Sequence, residues 1–289
     1  MIKYVFFGSP RFAEIVLKKL IVLDFAPAAV VCNPDKPFGR KRELTPPPVK
    51  VVAQSAGIKV YQPAKIDEAF MTEMRELAPD IFLIAAYSKI LPESLLLIPK
   101  LGSIGVHPSL LPRHRGSSPI QNTILSGDKL GGVTLYMLDK EVDHGPVLDA
   151  REVPVSSSID YLGLEEQLAE LGGLMTPEVL EKYAGGVIIP KEQDHELATF
   201  TKKFKTEDGF VDFMDLKSAI TGDVNLQIAI DRKIKALNPD PGVYTVKNEK
   251  RIKLLESEVL EGGLVIKKIQ LEGKNPTSIQ GVIKSLLLG

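Results

Sequence analysis

Three stretches of the chain hold residue types that could do chemistry. The first is Leu101 to Gly116, LGSIGVHPSLLPRHRG, an apolar run that leads into a polar, proline-bounded loop. Alternate side chains of a strand share a face, so Ser103, Gly105 and His107 would point the same way, with His107 at the carboxyl end. An imidazole is the side chain suited to proton transfer near neutral pH. The plainer alternative is a capped histidine at the edge of a core. The second stretch is Met137 to Val147, MLDKEVDHGPV, where Asp139, Glu141, Asp143 and His144 follow an apolar strand at Val133 to Leu138. One of these carboxylates could meet His107 and set its protonation state; a solvated acidic loop is the alternative. His144 beside Asp143 has no third ligand at a recognisable spacing, so no metal site is expected.

The third stretch is Asn33 to Lys50, NPDKPFGRKRELTPPPVK, which sets Lys36, Arg40, Lys41, Arg42 and Lys50 against Asp35 and Glu43. Its prolines should keep it out of helix and sheet for most of its length. A long basic loop of this kind suits phosphate contacts. Two motifs are absent. GSPRFA after the first strand is not the G-x-G-x-x-G dinucleotide fingerprint, and no G-x-x-x-x-G-K-[ST] occurs.

Positioning these groups takes a sheet. Lys3–Phe7, Ala28–Cys32, Ile58–Tyr61, Ile81–Ala86 and Gly102–His107 read as short buried strands, with helical spacing at Arg11–Leu20 and Ile66–Leu77. This predicts an α/β fold with a mostly parallel sheet covered by helices on both faces. The ligand crevice of such a sheet lies beyond the carboxyl ends of its strands. Tyr161–Tyr183 reads as a long helix broken at Gly172-Gly173 and Pro177. From about residue 205 the pattern reads as a small, mainly β domain, with strands such as Arg251–Leu255 and Leu264–Leu271.

The composition narrows the class. The chain has 289 residues, 44% hydrophobic and 25% charged, with a formal net charge of −1. That is ordinary for a globular protein of one large or two smaller domains. Near-zero charge gives no whole-molecule sign of a polyanionic partner, although basic residues can gather in one patch. Cys32 is the lone cysteine, which excludes an intramolecular disulfide and a cysteine-based zinc site. The start lacks the long apolar region of a signal peptide, and the run Ile81–Tyr87 is too short to span a membrane. A cytoplasmic protein is expected.

Several segments together resemble the folate-dependent formyltransferases. They are FFGSPRFA, the loop NPDKPFGR with LTPPPVK, AAYSKILP, VHPSLLPRHRGSSPIQ and GVTLYMLDKEVDHGPVL, in the family's order from about residue 3 to 150. Fainter similarity continues at TFTKKF and at NPDPG, residues 238–242. The loop ending LTPPPVK favours the branch that acts on tRNA. The resemblance implies a Rossmann-like formyltransferase domain at 1–189, a linker at 190–204, and at 205–289 a domain like an oligonucleotide-binding barrel that would bind tRNA. The implied reaction belongs to translation initiation and one-carbon metabolism. It moves a formyl group from 10-formyltetrahydrofolate to the α-amine of methionyl initiator tRNA, without a metal, on a monomer that needs no membrane. An amino sugar or a small amine as acceptor, or a catalytically weak folate- or tRNA-binding relative, stay open as alternatives.

The resemblance also assigns residues. The catalytic His and Asp fall on His107 and Asp143. Ala86, Tyr87, Ile90, Leu91 and Pro92 would line the pterin pocket, and Leu138, Asp139 and Val142 would close its other side. Ser109, Leu110, Leu111 and Pro112 would shape the loop near the formyl group. Phe12 would face the methionyl moiety, and Arg40, with Lys41 and Arg42, would reach the tRNA. One position departs from the pattern: the family places Asn two residues before the His, and this chain has Gly105. Losing an oxyanion donor of that kind costs about 10²–10³ in rate. Impaired transfer with intact folate binding is therefore expected, and Gly105→Asn is expected to raise turnover. An engineered change, another role, or water in place of the amide would each account for Gly105.

Overall fold

The computed structural model describes residues 2–39 and 42–288. In chain order the elements begin with β1 (Tyr4–Gly8), α1 (Arg11–Val22), β2 (Ala29–Val31), β3 (Lys36–Phe38), β4 (Glu43–Thr45), α2 (Pro48–Ser55), β5 (Lys59–Tyr61), α3 (Glu68–Leu77) and β6 (Ile81–Ala85). There follow α4 (Glu93–Leu96), β7 (Ser103–His107), β8 (Arg115–Gly116), α5 (Pro119–Ser126), β9 (Leu130–Met137), β10 (Val147–Pro154) and α6 (Tyr161–Ala184). The last are β11 (Phe200–Thr201), α7 (Phe213–Thr221), α8 (Val224–Leu237), β12 (Val243–Lys247), β13 (Lys250–Leu260), β14 (Gly263–Leu271) and α9 (Gln280–Leu288). The chain divides into two compact units.

The first unit comprises residues 1–116, 131–153 and 165–200. Its seven-stranded sheet has the order β10-β9-β7-β6-β1-β2-β5. The pairs β1–β2, β1–β6, β2–β5 and β6–β7 are parallel, and β7–β9 is antiparallel. Tyr4, Val5, Phe6 and Phe7 of β1 are all buried, which is why the continuous apolar run KYVFF makes a central strand. From β1 the chain moves out to β2 and β5, then returns to β6 on the other flank. That reversal opens a crevice at the carboxyl ends of the strands, where His107 lies as the last residue of β7.

Two expectations are corrected here. The stretch Asn33–Lys50 is not irregular throughout: β3 and β4 pair antiparallel, Lys36 with Thr45 and Phe38 with Glu43, and Pro48 opens α2. Proline at the start of a helix gives up only an N–H that has no partner there. Lys50 pairs with Asp35 at 2.8 Å, and Gln62 Nε2 donates to Asp35 at 2.7 Å, so that lysine anchors the loop's base. The second correction concerns α6, one continuous helix through Gly172, Gly173 and Pro177. A Cβ at 172 would come within 2.8 Å of Val106 Cγ1, and one at 173 within 2.5 Å of Lys19 Cβ. The glycines let α6 lie close to the sheet and α1. Burial of Leu168, Ala169, Met175, Val179 and Leu180 outweighs the hydrogen bond lost at Pro177.

The second unit comprises residues 117–130, 154–164 and 201–289. β12, β13 and β14 form an antiparallel sheet that buries Val243, Ile252, Leu254, Ile266 and Ile269. Helices α7 and α8 pack on it through Leu216, Ala219, Ile230, Ile234 and Leu237. A mainly β reading omits these helices, yet their start signals are present. Asp212 accepts from the Met214 and Asp215 amides, and Asp223 from the Leu226 amide.

Candidate active site

β7 ends at His107, where the chain turns into the loop that leads to β8. His107 Nε2 lies 3.0 Å from the His114 carbonyl oxygen. A carbonyl only accepts, so Nε2 carries the hydrogen and donates. Nδ1 faces Asp143 Oδ2 at 3.6 Å, and the two side chains are 8% and 15% exposed. Asp143 sits at φ 49°, in the left-handed region, and its carboxylate is held at both oxygens. Tyr136 Oη donates to Oδ1 at 2.5 Å, and the Gly116 amide donates to Oδ2 at 2.6 Å. Charge-assisted bonds of this kind fix a carboxylate firmly.

The Asp143 backbone is held as well. Gln193 Nε2 donates to the carbonyls of Asp143 at 3.0 Å and Gly145 at 2.8 Å. Gln193 Oε1 accepts from Arg115 Nε at 3.1 Å and Nη2 at 2.6 Å, and Arg115 Nη2 also donates to His195 Nδ1 at 2.9 Å. The His195 ring stacks on His144 at 4.2 Å, and His144 Nδ1 donates to Asp139 Oδ2 at 2.7 Å. Asp139 and His144 are thus tied into the frame of the acidic loop. Burial raises the pKa of the Tyr136 hydroxyl well above its ordinary value, with the Asp143 charge adding to the effect, so it acts as a donor.

The other predicted residues divide into groups. β6 neighbours β7, so Ala86 to Pro92 leave the sheet beside His107; Ala86 and Ile90 are exposed, and Tyr87, Leu91 and Pro92 are half-buried. Leu138 is half-buried beside Gly105, and Val142 is exposed. Ser109 is buried and its hydroxyl donates to the Arg113 carbonyl at 2.6 Å, while Leu110, Leu111 and Pro112 remain half-buried. Phe12 is 3% exposed on α1. Arg42 is exposed at φ 52°; Arg40 and Lys41 lie outside the described residues.

Gly105 does not leave a gap. It stands opposite Tyr136 across the β7–β9 pair, and a Cβ built on it would meet Tyr136 Cε1 at 2.4 Å, Cζ at 2.8 Å and Leu138 Cδ1 at 2.9 Å. The aromatic ring occupies the space that a larger side chain would need, so an asparagine at 105 would have to displace it. Sequence reasoning missed Tyr136, Gln193 and His195. A glycine facing an aromatic across two strands is a signal that becomes visible only once the register is known. Gln193 and His195 carry no local signal.

The fold and the His107–Asp143 pair define a class that the comparisons make explicit. The family model described as formyl transferase matches residues 2–180, and that described as formyl transferase, C-terminal domain, matches 203–263. The chain belongs to the formyl transferase family. It is 39% identical to the methionyl-tRNA formyltransferase of Thermotoga neapolitana over 98% of this chain and 88% of that one. Among solved structures, the methionyl-tRNA formyltransferase from Clostridium thermocellum is 14% identical with a TM-score of 0.60, covering 94% of this chain and 99% of that one. A sugar 3N-formyl transferase crystallised with dTDP and 5-N-formyl-THF is 16% identical with a TM-score of 0.65, covering 95% and 99%. These two share the fold.

Proposed function

We propose that this chain transfers a formyl group from 10-formyltetrahydrofolate to the α-amine of methionyl initiator tRNA. The observation that carries the reading is the His107–Asp143 pair, 3.6 Å apart at the carboxyl end of β7, in a chain similar along nearly its whole length to methionyl-tRNA formyltransferases. Bound 10-formyltetrahydrofolate supplies a formyl carbon open to attack by an amine. As the new C–N bond forms, the formyl carbon's bond to the folate nitrogen breaks; the attacking amine sheds a proton, and the departing folate nitrogen takes one up. His107 Nδ1 is the ring nitrogen not committed to a neighbouring carbonyl, and Asp143 opposite it stabilises the imidazolium that results. The Nε2–H bond to the His114 carbonyl keeps the ring from turning away.

The residues around the crevice suit a flat heterocycle. Ile90 is 94% exposed and Val142 65% exposed, apolar surface that a bound ring would cover. The Tyr87 hydroxyl is buried with no hydrogen-bond partner among the described residues. No metal is assigned a role. For the tRNA, Arg42, between β3 and β4, would reach phosphates, and we assign Arg40 and Lys41 the same role. Residues 205–289 would add the outer face of the second sheet, where Tyr244, Arg251 and Lys253 stand away from the buried Thr245, Ile252 and Leu254. The Arg251 guanidinium lies 3.5 Å over the Tyr244 ring, and its Nε is buried without a partner. A cation stacked on an aromatic ring, with Lys253 on the same face, fits a nucleic-acid backbone. We keep a catalytic domain at 1–189, a linker at 190–204 and a tRNA-binding domain at 205–289; a break between compact units falls inside that linker, at Phe200 and Thr201, while residues 117–130 and 154–164 group with the second unit. No helix among the described residues is long and apolar enough to cross a membrane. We read the protein as a cytoplasmic monomer.

The test is a formylation assay with 10-formyltetrahydrofolate and charged initiator tRNA. The expected product is N-formylmethionyl-tRNA, with binding that weakens steeply as salt rises. Absence of that product, with formylation of an amino sugar or a small amine instead, would overturn the assignment of the acceptor.

A further inference from the structure

The Gly105–Tyr136 pair does more than fill space. Tyr136 lies on β9 in register with Gly105, its ring 5% exposed and edge-on to His107 with centroids 6.2 Å apart. Its hydroxyl points at the end of the strand, where it donates to Asp143 Oδ1 at 2.5 Å. The only other hydrogen-bond donor drawn to that carboxylate among the described contacts is the Gly116 amide, on the opposite oxygen. Two donors arriving from different elements, one strand side chain and one loop amide, fix both the position and the rotation of a carboxylate whose backbone is itself in the left-handed region. Remove the hydroxyl and a single bond remains, about which the carboxylate can swing away from His107 Nδ1.

We propose that Tyr136 is a positioning residue, holding Asp143 against His107, and that Gly105 is present because any side chain there would push the Tyr136 ring off this bond. The two positions form one unit: glycine admits the ring, and the ring's hydroxyl orders the acid. The inference rests on His107 and Asp143 being the reacting pair. A Cβ at 105 would lie 2.4 Å and 2.8 Å from ring atoms of a buried tyrosine. Those are not the far end of a flexible chain, so the ring itself has to move.

Three variants test this beside the wild type. Tyr136→Phe keeps the ring and removes only the hydroxyl. Its kcat should fall about tenfold or more, the loss expected for one hydrogen bond to a charged group, while KM for tRNA and for the folate donor stays within about twofold of wild type. Gly105→Asn should lose at least as much kcat and melt at a lower temperature. Adding Tyr136→Ala to Gly105→Asn should cost little further melting temperature, since the collision is gone and the asparagine takes up part of the space the ring leaves, without recovering kcat. The imidazole ¹⁵N shifts of His107 should move in Tyr136→Phe whether or not the protein turns over. An active wild type with Tyr136→Phe unchanged in kcat and in the His107 shifts overturns the positioning role. A Gly105→Asn protein that is faster than wild type and equally stable overturns the pairing. An inactive wild type with displaced His107 shifts in Tyr136→Phe keeps the positioning inference and overturns the formyl-transfer reading instead.

Discussion

Replacing Asp143 by Asn tests the electrostatic half of the proposed mechanism while sparing the geometry. The amide can keep both contacts: its oxygen accepts from the Gly116 amide, and its nitrogen donates to a Tyr136 hydroxyl that has rotated to accept. What disappears is the negative charge 3.6 Å from His107 Nδ1. At an effective dielectric of about 20, two unit charges at that separation attract by about 4–5 kcal/mol. The side chains are 8% and 15% exposed, so solvent screens little of it. An imidazolium that forms during the reaction loses that support, which corresponds to a rate loss on the order of a thousandfold. The assay is kcat/KM for formylation of charged initiator tRNA at saturating 10-formyltetrahydrofolate, with thermal melting as a control for folding. Asp143→Asn is expected to melt near wild type and to turn over about a thousand times more slowly. A loss of less than about tenfold in a well-folded variant would show that the Asp143 charge does not stabilise the reacting imidazole.

Three further outcomes can be checked. In Gly172→Val the added Cβ alone meets Val106 Cγ1 at 2.8 Å and Val133 Cγ1 at 3.5 Å, before the branches are placed; the overpacking cost of about 1–3 kcal/mol exceeds the helix-propensity gain of a few tenths to about 1 kcal/mol, so the denaturation midpoint should fall, and an unchanged or higher midpoint contradicts the close packing of α6. Hydrogen bonds from Lys182 and Arg151 hold the Glu178 carboxyl at about pKa 2, below its ordinary value of 4.5. A depressed carboxylate contributes stability above its unfolded pKa that is lost as pH falls toward 2; Glu178→Gln should therefore lose less melting temperature than wild type between pH 4.5 and 2, by a small margin because the pair is exposed, and parallel curves would refute the linkage. Burial pushes the Cys32 thiol up to about 11, so iodoacetamide should label it slowly in the native protein and rapidly in denaturant; equal rates would place Cys32 at the surface.

Much of the catalytic unit can be read along the chain. Continuous apolar runs such as KYVFF and IFLIA are buried on both faces in a parallel sheet, and nothing else suits them. His107 at the end of such a run has to emerge at the carboxyl edge, where β7 delivers it. The hairpin β3–β4 and the unbroken α6 were not legible. Prolines argue locally against regular structure, and the burial that overrides them is contributed by other elements. The helices α7 and α8 follow aspartate caps that a β-patterned reading passes over.

The sequence by itself determined the family, the α/β sheet and the presence of a histidine and several acids within reach of its edge. Only the tertiary structure decided how Asp143 is held against His107, and what fills the space beside position 105. Asp143 rather than Asp139 or Glu141 faces Nδ1, because Tyr136, Gly116 and Gln193 hold it there from three separate elements. Tyr136 covers Gly105 because the β7–β9 register sets them opposite each other. A shift of one residue would turn that tyrosine to the other face of the sheet. Register and side-chain volume are properties of the paired strands together, and neither strand's own sequence contains them.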